Sequence, residues 1–299
     1  MTTPRRALIT GLHGFTGRYV AAELVSAGYE IHGIGTAVPG TTDTNYREVD
    51  LLDARQVIDA VTDIRPNVIV HLAAIAFVAH GDAEAFYRVN VVGTRNLLDA
   101  LARLPERPDS VLLASSANIY GNATEGVLSE TAPPDPANDY AVSKLAMEYM
   151  ARLWNARLPI TIVRPFNYTG VGQSESFLLP KIVAHFKRGE SVIELGNLDV
   201  SRDFGDVRAV AEAYRRLVEA RAAGVTVNVC SGTVHSLREV VAMAEQITGR
   251  SIEIKVNPAF VRANEVRTLQ GNPDLLRSII GDWGNPPLRD TLAWMLKEE

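Results

Sequence analysis

Tyr140 and Lys144 stand one helical turn apart in the run Asn138 to Trp154 (NDYAVSKLAMEYMARLW), whose composition is strongly helical. Residues at i and i+4 share a helical face, so the phenol and the ammonium can address one pocket. A nearby positive charge favours phenolate and is expected to lower the tyrosine pKa from its usual value near ~10, which would make it a general acid or base. Taken alone, the pair could equally be two residues on a solvated helix face. The segments that would have to surround it decide between these readings.

The first such segment is Thr10 to Gly17 (TGLHGFTG), which follows the apolar run Ala7 to Thr10 and precedes a helical pattern from Tyr19 to Ala27. A strand, a glycine-rich turn and a helix in this order make a phosphate site, because glycines admit close backbone approach and the helix N-terminus adds partial positive charge. Gly11, Gly14 and Gly17 are spaced Gly-x-x-Gly-x-x-Gly rather than in the usual dinucleotide pattern. A second strand, Tyr29 to Ile34, ends in Gly35, Thr36 and Ala37, with neither an acid for a ribose 2'-hydroxyl nor a base for a 2'-phosphate. NADH and NADPH both remain open, with a slight lean to NADPH because no carboxylate would repel the phosphate.

Strands and helices keep alternating. Tyr46 to Val49, Asn67 to Leu72, Ser110 to Leu113 and Ile160 to Val163 read as strands, Ala54 to Ile64 and Asp82 to Leu104 as helices. Near-continuous apolar strands between helices imply an α/β fold with a doubly wound parallel sheet of Rossmann type. Ligands then bind beyond the carboxyl ends of the strands, which points Ser115 and Ser116 into the expected site.

Composition is ordinary for a soluble globular protein. Of 299 residues, 46% are hydrophobic and 22% charged, and the net charge of -5 comes without a Lys/Arg block, so neither nucleic acid nor an anionic membrane has electrostatic support. The longest apolar run, around Ile69 to Ala79, is interrupted by His71 and too short to span a bilayer. The N-terminus lacks the features of a secretory signal, and the single Cys230 excludes an internal disulfide or a Cys-rich zinc site. The expected location is cytoplasmic.

With the glycine turn, Ser116 and Tyr140-x-x-x-Lys144 in this order, the sequence resembles the extended short-chain dehydrogenase/reductase family over nearly its whole length. The resemblance implies an NAD(P)-binding Rossmann domain over 1–165, receiving part of 205–232, and a smaller α/β domain, mainly 166–299, that binds a sugar nucleotide. It implies catalytic roles for Ser116, Tyr140 and Lys144. It places Gly11, His13, Gly14, Phe15, Thr16, Gly17, Asp50, Leu51, Leu72, Ala73, Ala74 and Asn90 around the cofactor, with His71 in the same cleft and Lys144 also on the nicotinamide ribose.

The segments Glu194 to Phe204 and Asn228 to Gly232 resemble those of enzymes acting on GDP-mannose derivatives. By that analogy Asn118, Asn167, Lys181, Arg202, Arg262 and Glu265 are substrate-binding. Guanidinium groups suit a diphosphate and a carboxylate suits ribose hydroxyls.

Related dehydratases carry a Glu two positions after the active-site Thr or Ser, to serve the proton transfers of water removal; here that position is Asn118, which cannot exchange a proton near neutral pH. The expected reaction is therefore reduction of the C4 ketone of GDP-4-keto-6-deoxy-D-mannose to GDP-D-rhamnose or GDP-6-deoxy-D-talose. A 4,6-dehydratase, a C4 epimerase with retained NAD and a non-catalytic NAD(P) sensor are the alternatives. Apolar positions on Ala85 to Leu101 and Leu145 to Trp154 exceed what one core face needs, and relatives pair these helices in a four-helix bundle, so a homodimer is expected.

Overall fold

The computed structural model describes residues 4–36, 43–76, 82–121, 126–260 and 267–298. In chain order its elements are β1 (Arg5–Thr10), α1 (Phe15–Ser26), β2 (Tyr29–Gly35), β3 (Tyr46–Glu48), α2 (Ala54–Ile64), β4 (Val68–His71), α3 (Ala83–Tyr87), α4 (Thr94–Ala102), β5 (Ser110–Ala114), β6 (Val127–Leu128), α5 (Asp139–Arg152) and β7 (Ile160–Pro165). Then come β8 (Asn167–Thr169), α6 (Leu178–Arg188), β9 (Val192–Leu195), β10 (Ser201–Asp206), α7 (Val207–Glu219), β11 (Thr226–Val229), β12 (Val234–Ser236), α8 (Leu237–Thr248), β13 (Glu253–Val256), β14 (Thr268–Gly271), α9 (Asp274–Ile280) and α10 (Leu288–Lys297).

Seven parallel strands form the main sheet in the order β3-β2-β1-β4-β5-β7-β11. The order reverses between β1 and β4, the switch point at which a doubly wound sheet leaves a crevice for ligands. Strand periodicity decides the layers. Ala7 and Ile9 of β1 pack with Val20, Leu24, Tyr214 and Leu217 of α1 and α7, whereas Leu8 between them packs with Val57, Val61, Leu97 and Leu101 of α2 and α4. Both faces are covered, which is why β4 and β5 are buried at consecutive positions.

β6, β10, β12 and β14 form a second sheet in the order β12-β10-β14-β6, with β8 on β10, while β9 pairs with β13. α6, α8 and α10 bury Ile182, Phe186, Val240 and Leu292 in the core beside it. Only Phe166 separates β7 in the main sheet from β8 in the second. β10 runs directly into α7, whose N-cap Asp206 accepts from the Arg208 amide at 2.8 Å.

One expected element differs. Asp82 to Leu104 reads as a single regular helix, but Arg88–Gly93 is π-helical between α3 and α4. The buried Asn90 accounts for the extra residue in this turn. Its Oδ1 accepts from the Ile75 amide at 3.1 Å, its Nδ2 donates to Ser143 Oγ at 3.0 Å, and its own carbonyl accepts from Thr94 Oγ1 at 2.7 Å.

Candidate active site

The glycine turn is built by exclusion of side chains. Gly11 has φ +73°, and a Cβ there would lie 3.1 Å from the Ala73 nitrogen. A Cβ on Gly17 would lie 2.2 Å from the Gly11 carbonyl oxygen and 2.4 Å from that of Leu12. Gly14 caps α1 without a side-chain bond, and the first turn of the helix carries no acidic residue, so its amides keep their positive field. This cradle fits the pyrophosphate of a dinucleotide.

Behind the turn, a chain of hydroxyls and an imidazole settles its own proton positions. Thr94 spends its hydrogen on the Asn90 carbonyl, so it accepts from His71 Nε2 at 2.8 Å, and His71 Nδ1 accepts from Thr10 Oγ1 at 2.7 Å. Thr10 Oγ1 in turn accepts from the Leu72 and Ala73 amides at 3.2 and 3.0 Å. Burial, reinforced by Lys144, pushes His71 down to about 3, which keeps it neutral in this role. The result pins Leu72 and Ala73 against Gly11.

The other residues expected around the cofactor take definite places. Thr16 Oγ1 lies 2.8 Å from the Tyr168 hydroxyl, and Phe15 stacks on Tyr168 with centroids 6.1 Å apart. His13 packs on Tyr46 at 4.4 Å. Leu51 meets Gly93, where a Cβ would lie 3.2 Å from its own Cβ, and its carbonyl accepts from Asn96 Nδ2 at 2.9 Å. Asp50 is exposed and accepts from the Leu52 amide at 2.9 Å. Ala74 is half-buried beside the pinned pair. Ala37, beyond the end of β2, lies outside the described residues.

α5 begins at the N-cap Asn138, whose Oδ1 accepts from the Ala141 amide at 2.9 Å, and this places Tyr140 in its first turn. Ser116 stands beside the Tyr140 phenol and accepts from the Asn118 amide at 3.1 Å, starting the short 3-10 turn Ala117–Tyr120. Lys144 is buried and donates to the Ala114 carbonyl at 2.7 Å. Ser116, Tyr140 and Lys144 thus converge at the end of β5.

Two expectations need correction. Lys144 is not what moves Tyr140. Burial raises the phenol to about 12, against an opposing Ser116 hydrogen bond, so it is held protonated rather than poised as phenolate. Burial also lowers Lys144 to about 8, with Glu148 pulling the other way. Ser115, in turn, does not enter the site. Its Oγ donates inward to Glu148 Oε1 at 2.6 Å, because successive residues of an extended chain point to opposite sides.

Of the residues expected to bind substrate, two lie on strands of the second sheet, one in the 3-10 turn after β5 and one on α6. Asn118 is half-buried in the 3-10 turn and Asn167 is exposed on β8. Arg202, on β10, donates to the Ser201 carbonyl at 2.9 Å. Lys181 donates to the Glu194 carbonyl at 2.8 Å and sits 4.6 Å from the centroid of the Phe260 ring. Arg262 and Glu265 lie outside the described residues.

Sequence reasoning missed Glu148 and Arg164, which form a bidentate pair at 2.9 and 2.7 Å next to the catalytic stripe. Two signals were present. Glu148 stands at i+4 from Lys144, and Arg164 is the one charged residue near the end of a mainly apolar strand.

The profile of the family described as GDP-mannose 4,6 dehydratase matches residues 8–284. The chain belongs to this family, a branch of the extended short-chain dehydrogenase/reductases. Among its relatives, the GDP-6-deoxy-D-talose 4-dehydrogenase of Aggregatibacter actinomycetemcomitans is 35% identical over 98% of this chain and 97% of that protein. The GDP-6-deoxy-D-mannose reductase of Pseudomonas aeruginosa is 33% identical over 93% and 97%. A crystal structure of a putative epimerase from Burkholderia cenocepacia superposes with a TM-score of 0.92 at 56% identity, covering 98% of this chain and 97% of that one. RMD from Pseudomonas aeruginosa, complexed with NADPH, superposes with a TM-score of 0.85 at 32% identity, covering 98% and 96%.

Proposed function

We propose that this member of the family is a reductase of the C4 ketone of a GDP-linked 4-keto-6-deoxyhexose, giving GDP-D-rhamnose or its C4 epimer GDP-6-deoxy-D-talose. The observation that carries the reading is the convergence of Ser116, Tyr140 and Lys144 at the end of β5, with Asn118 rather than a carboxylate two residues after Ser116. Ketone reduction needs one proton donor at the oxygen. Water removal would need a further acid and base at C5 and C6, and Asn118 supplies neither. The relatives' names, a C4 dehydrogenase and a reductase of GDP-6-deoxyhexoses, support the same substrate class.

The bound nicotinamide cofactor supplies the hydride. Ser116 hydrogen-bonds the C4 oxygen and Tyr140 gives it the proton. Lys144 donates to the Ala114 carbonyl, and its remaining N-H groups would hold the nicotinamide ribose. NADPH is the favoured cofactor, in keeping with the NADPH complex of RMD and with the lack of an acid at Gly35 and Thr36. In this reading residues 1–165 with part of 205–232 hold the cofactor, and 166–299 mainly hold the sugar nucleotide through Asn167, Lys181, Arg202, Arg262 and Glu265.

Incubation with the 4-keto sugar nucleotide and NADPH should consume cofactor stoichiometrically, with the new C4 configuration read by NMR. Formation of 4-keto product from GDP-mannose instead, or interconversion of C4 epimers without added cofactor, would replace this reading with a dehydratase or an epimerase.

The same reading makes the protein a cytoplasmic homodimer. Among the described residues no helix is long and apolar enough to cross a membrane. Tyr149 and Leu153, at the end of α5, are 57% and 81% exposed, and Val92 and Val142 add to the uncovered apolar surface. Sedimentation at micromolar concentration should give a dimer for the wild type and a monomer for the Tyr149→Asp, Leu153→Asp double variant.

A further inference from the structure

Tyr140, Lys144 and Glu148 form one stripe along α5, at i, i+4 and i+8, buried more deeply at each step. The end of β5 lies along this stripe. The Ala114 carbonyl accepts from Lys144, Ser115 Oγ donates to Glu148 at 2.6 Å, and Ser116 stands beside the Tyr140 phenol. Three consecutive residues thus meet three consecutive turns of the helix. Two of those contacts involve the catalytic groups themselves. The middle one involves only residues with no assigned role.

Glu148 is fully buried and has nowhere to move. Arg164 of β7 clamps both of its oxygens, at 2.9 and 2.7 Å, and is itself held through Nη1 by the Tyr120 hydroxyl at 2.9 Å and the Glu130 carbonyl at 3.1 Å. Tyr120 passes the restraint on to Asn228 Oδ1 at 2.7 Å. Arg152 adds a longer contact to Glu148 at 3.7 Å. A carboxylate anchored on four sides is a fixed post, and the strand end is tied to it.

We propose that Ser115 and Glu148 are positioning residues for ketone reduction: the Ser115-Glu148-Arg164 clamp sets where Ser116 stands opposite Tyr140 and supplies the negative charge that keeps Lys144 an ammonium. The proposal rests on the reductase reading for its turnover measurement only. Lys144 has Glu148 one turn on along α5 and the neutral His71 of β4 beside it, while Arg164 on β7 and Arg152 on α5 contact Glu148 and share its charge. Glu148 still favours the charged lysine, against the burial that disfavours it.

The test uses two variants and one control. Ser115→Ala removes one hydrogen bond and leaves the ion pair intact. It should lower kcat about tenfold, the scale expected for loss of alignment, with cofactor KM unchanged. Thr161→Ala is the control. It deletes a buried hydroxyl on β7, bonded to the Ala222 carbonyl at 2.6 Å, and should leave kcat alone. Glu148→Gln should move the Lys144 titration downward by a pH unit or more, followed by the 13Cε shift of labelled lysine with Lys144 assigned through Lys144→Arg.

The alkaline limb of kcat should move with it. Equal kcat in Ser115→Ala and Thr161→Ala, or a Lys144 titration unmoved in Glu148→Gln, overturns the proposal. If Glu148→Gln does not fold, Ser115→Ala decides. If no ketone is reduced, the lysine titration decides without substrate, so failure of the clamp and failure of the reductase reading are told apart.

Discussion

Tyr140→Phe should lose turnover by about 10²- to 10⁴-fold, the range that one general acid contributes, while cofactor affinity stays within a few-fold of wild type. The substitution removes one oxygen and keeps the ring, whose packing 6.0 Å from Phe86 is unaffected by it. In the reductase reading the phenol is the proton donor, and burial, which raises it to about 12, keeps it protonated across the working range. Its ionisation therefore does not shape the neutral pH profile. Lys144 does, since it titrates at about 8. Wild-type kcat should be level below that pH and fall above it as the ammonium is lost. A Phe variant that keeps more than a tenth of the turnover would remove Tyr140 from the acid role.

Gly17→Ala should weaken NADPH binding at least 100-fold, which corresponds to about 2.7 kcal/mol. In an ordinary helix alanine is preferred over glycine by about 1 kcal/mol, so local propensity argues for the opposite outcome. Geometry outweighs it. The new methyl would lie 2.2 and 2.4 Å from two backbone carbonyl oxygens of the turn, and backbone cannot swing aside as a side-chain tip can. Displacing Gly11 and Leu12 also disturbs the contact with Ala73. Gly284→Ala is the comparison, because its Cβ would meet only a Glu212 oxygen, at 3.4 Å. Isothermal titration with NADPH reads both, and near-equal affinities would show that the turn does not hold the pyrophosphate.

What was legible in the sequence was what depends on neighbours in the chain. β1, the glycine turn and α1 are contiguous, and Tyr140 and Lys144 are one turn apart, so periodicity and spacing carry them. Strand composition gave away the parallel sheet because both faces of β4 and β5 are covered. The misreadings share a different cause. The π-turn at Asn90 depends on Ile75 and Ser143, 15 and 53 residues away. The inward turn of Ser115 depends on Glu148, 33 residues away. The pKa of Tyr140 depends on burial, and burial is a property of the assembled core. A positive charge one turn away was legible; that its ammonium is bonded to the Ala114 carbonyl was not.

The direct passages from β7 through Phe166 to β8, and from β10 into α7, bear on how new specificity could be made. Interchangeable modules need a slack tether at each crossing, and at these two the chain passes with one residue or none. Transplanting a foreign second sheet with its helices would cut beside Arg164 and Asp206, one holding Glu148 and the other bonded to Thr291 of α10 at 2.8 Å. The architecture thus favours diversification one side chain at a time on a shared frame over the shuffling of whole halves.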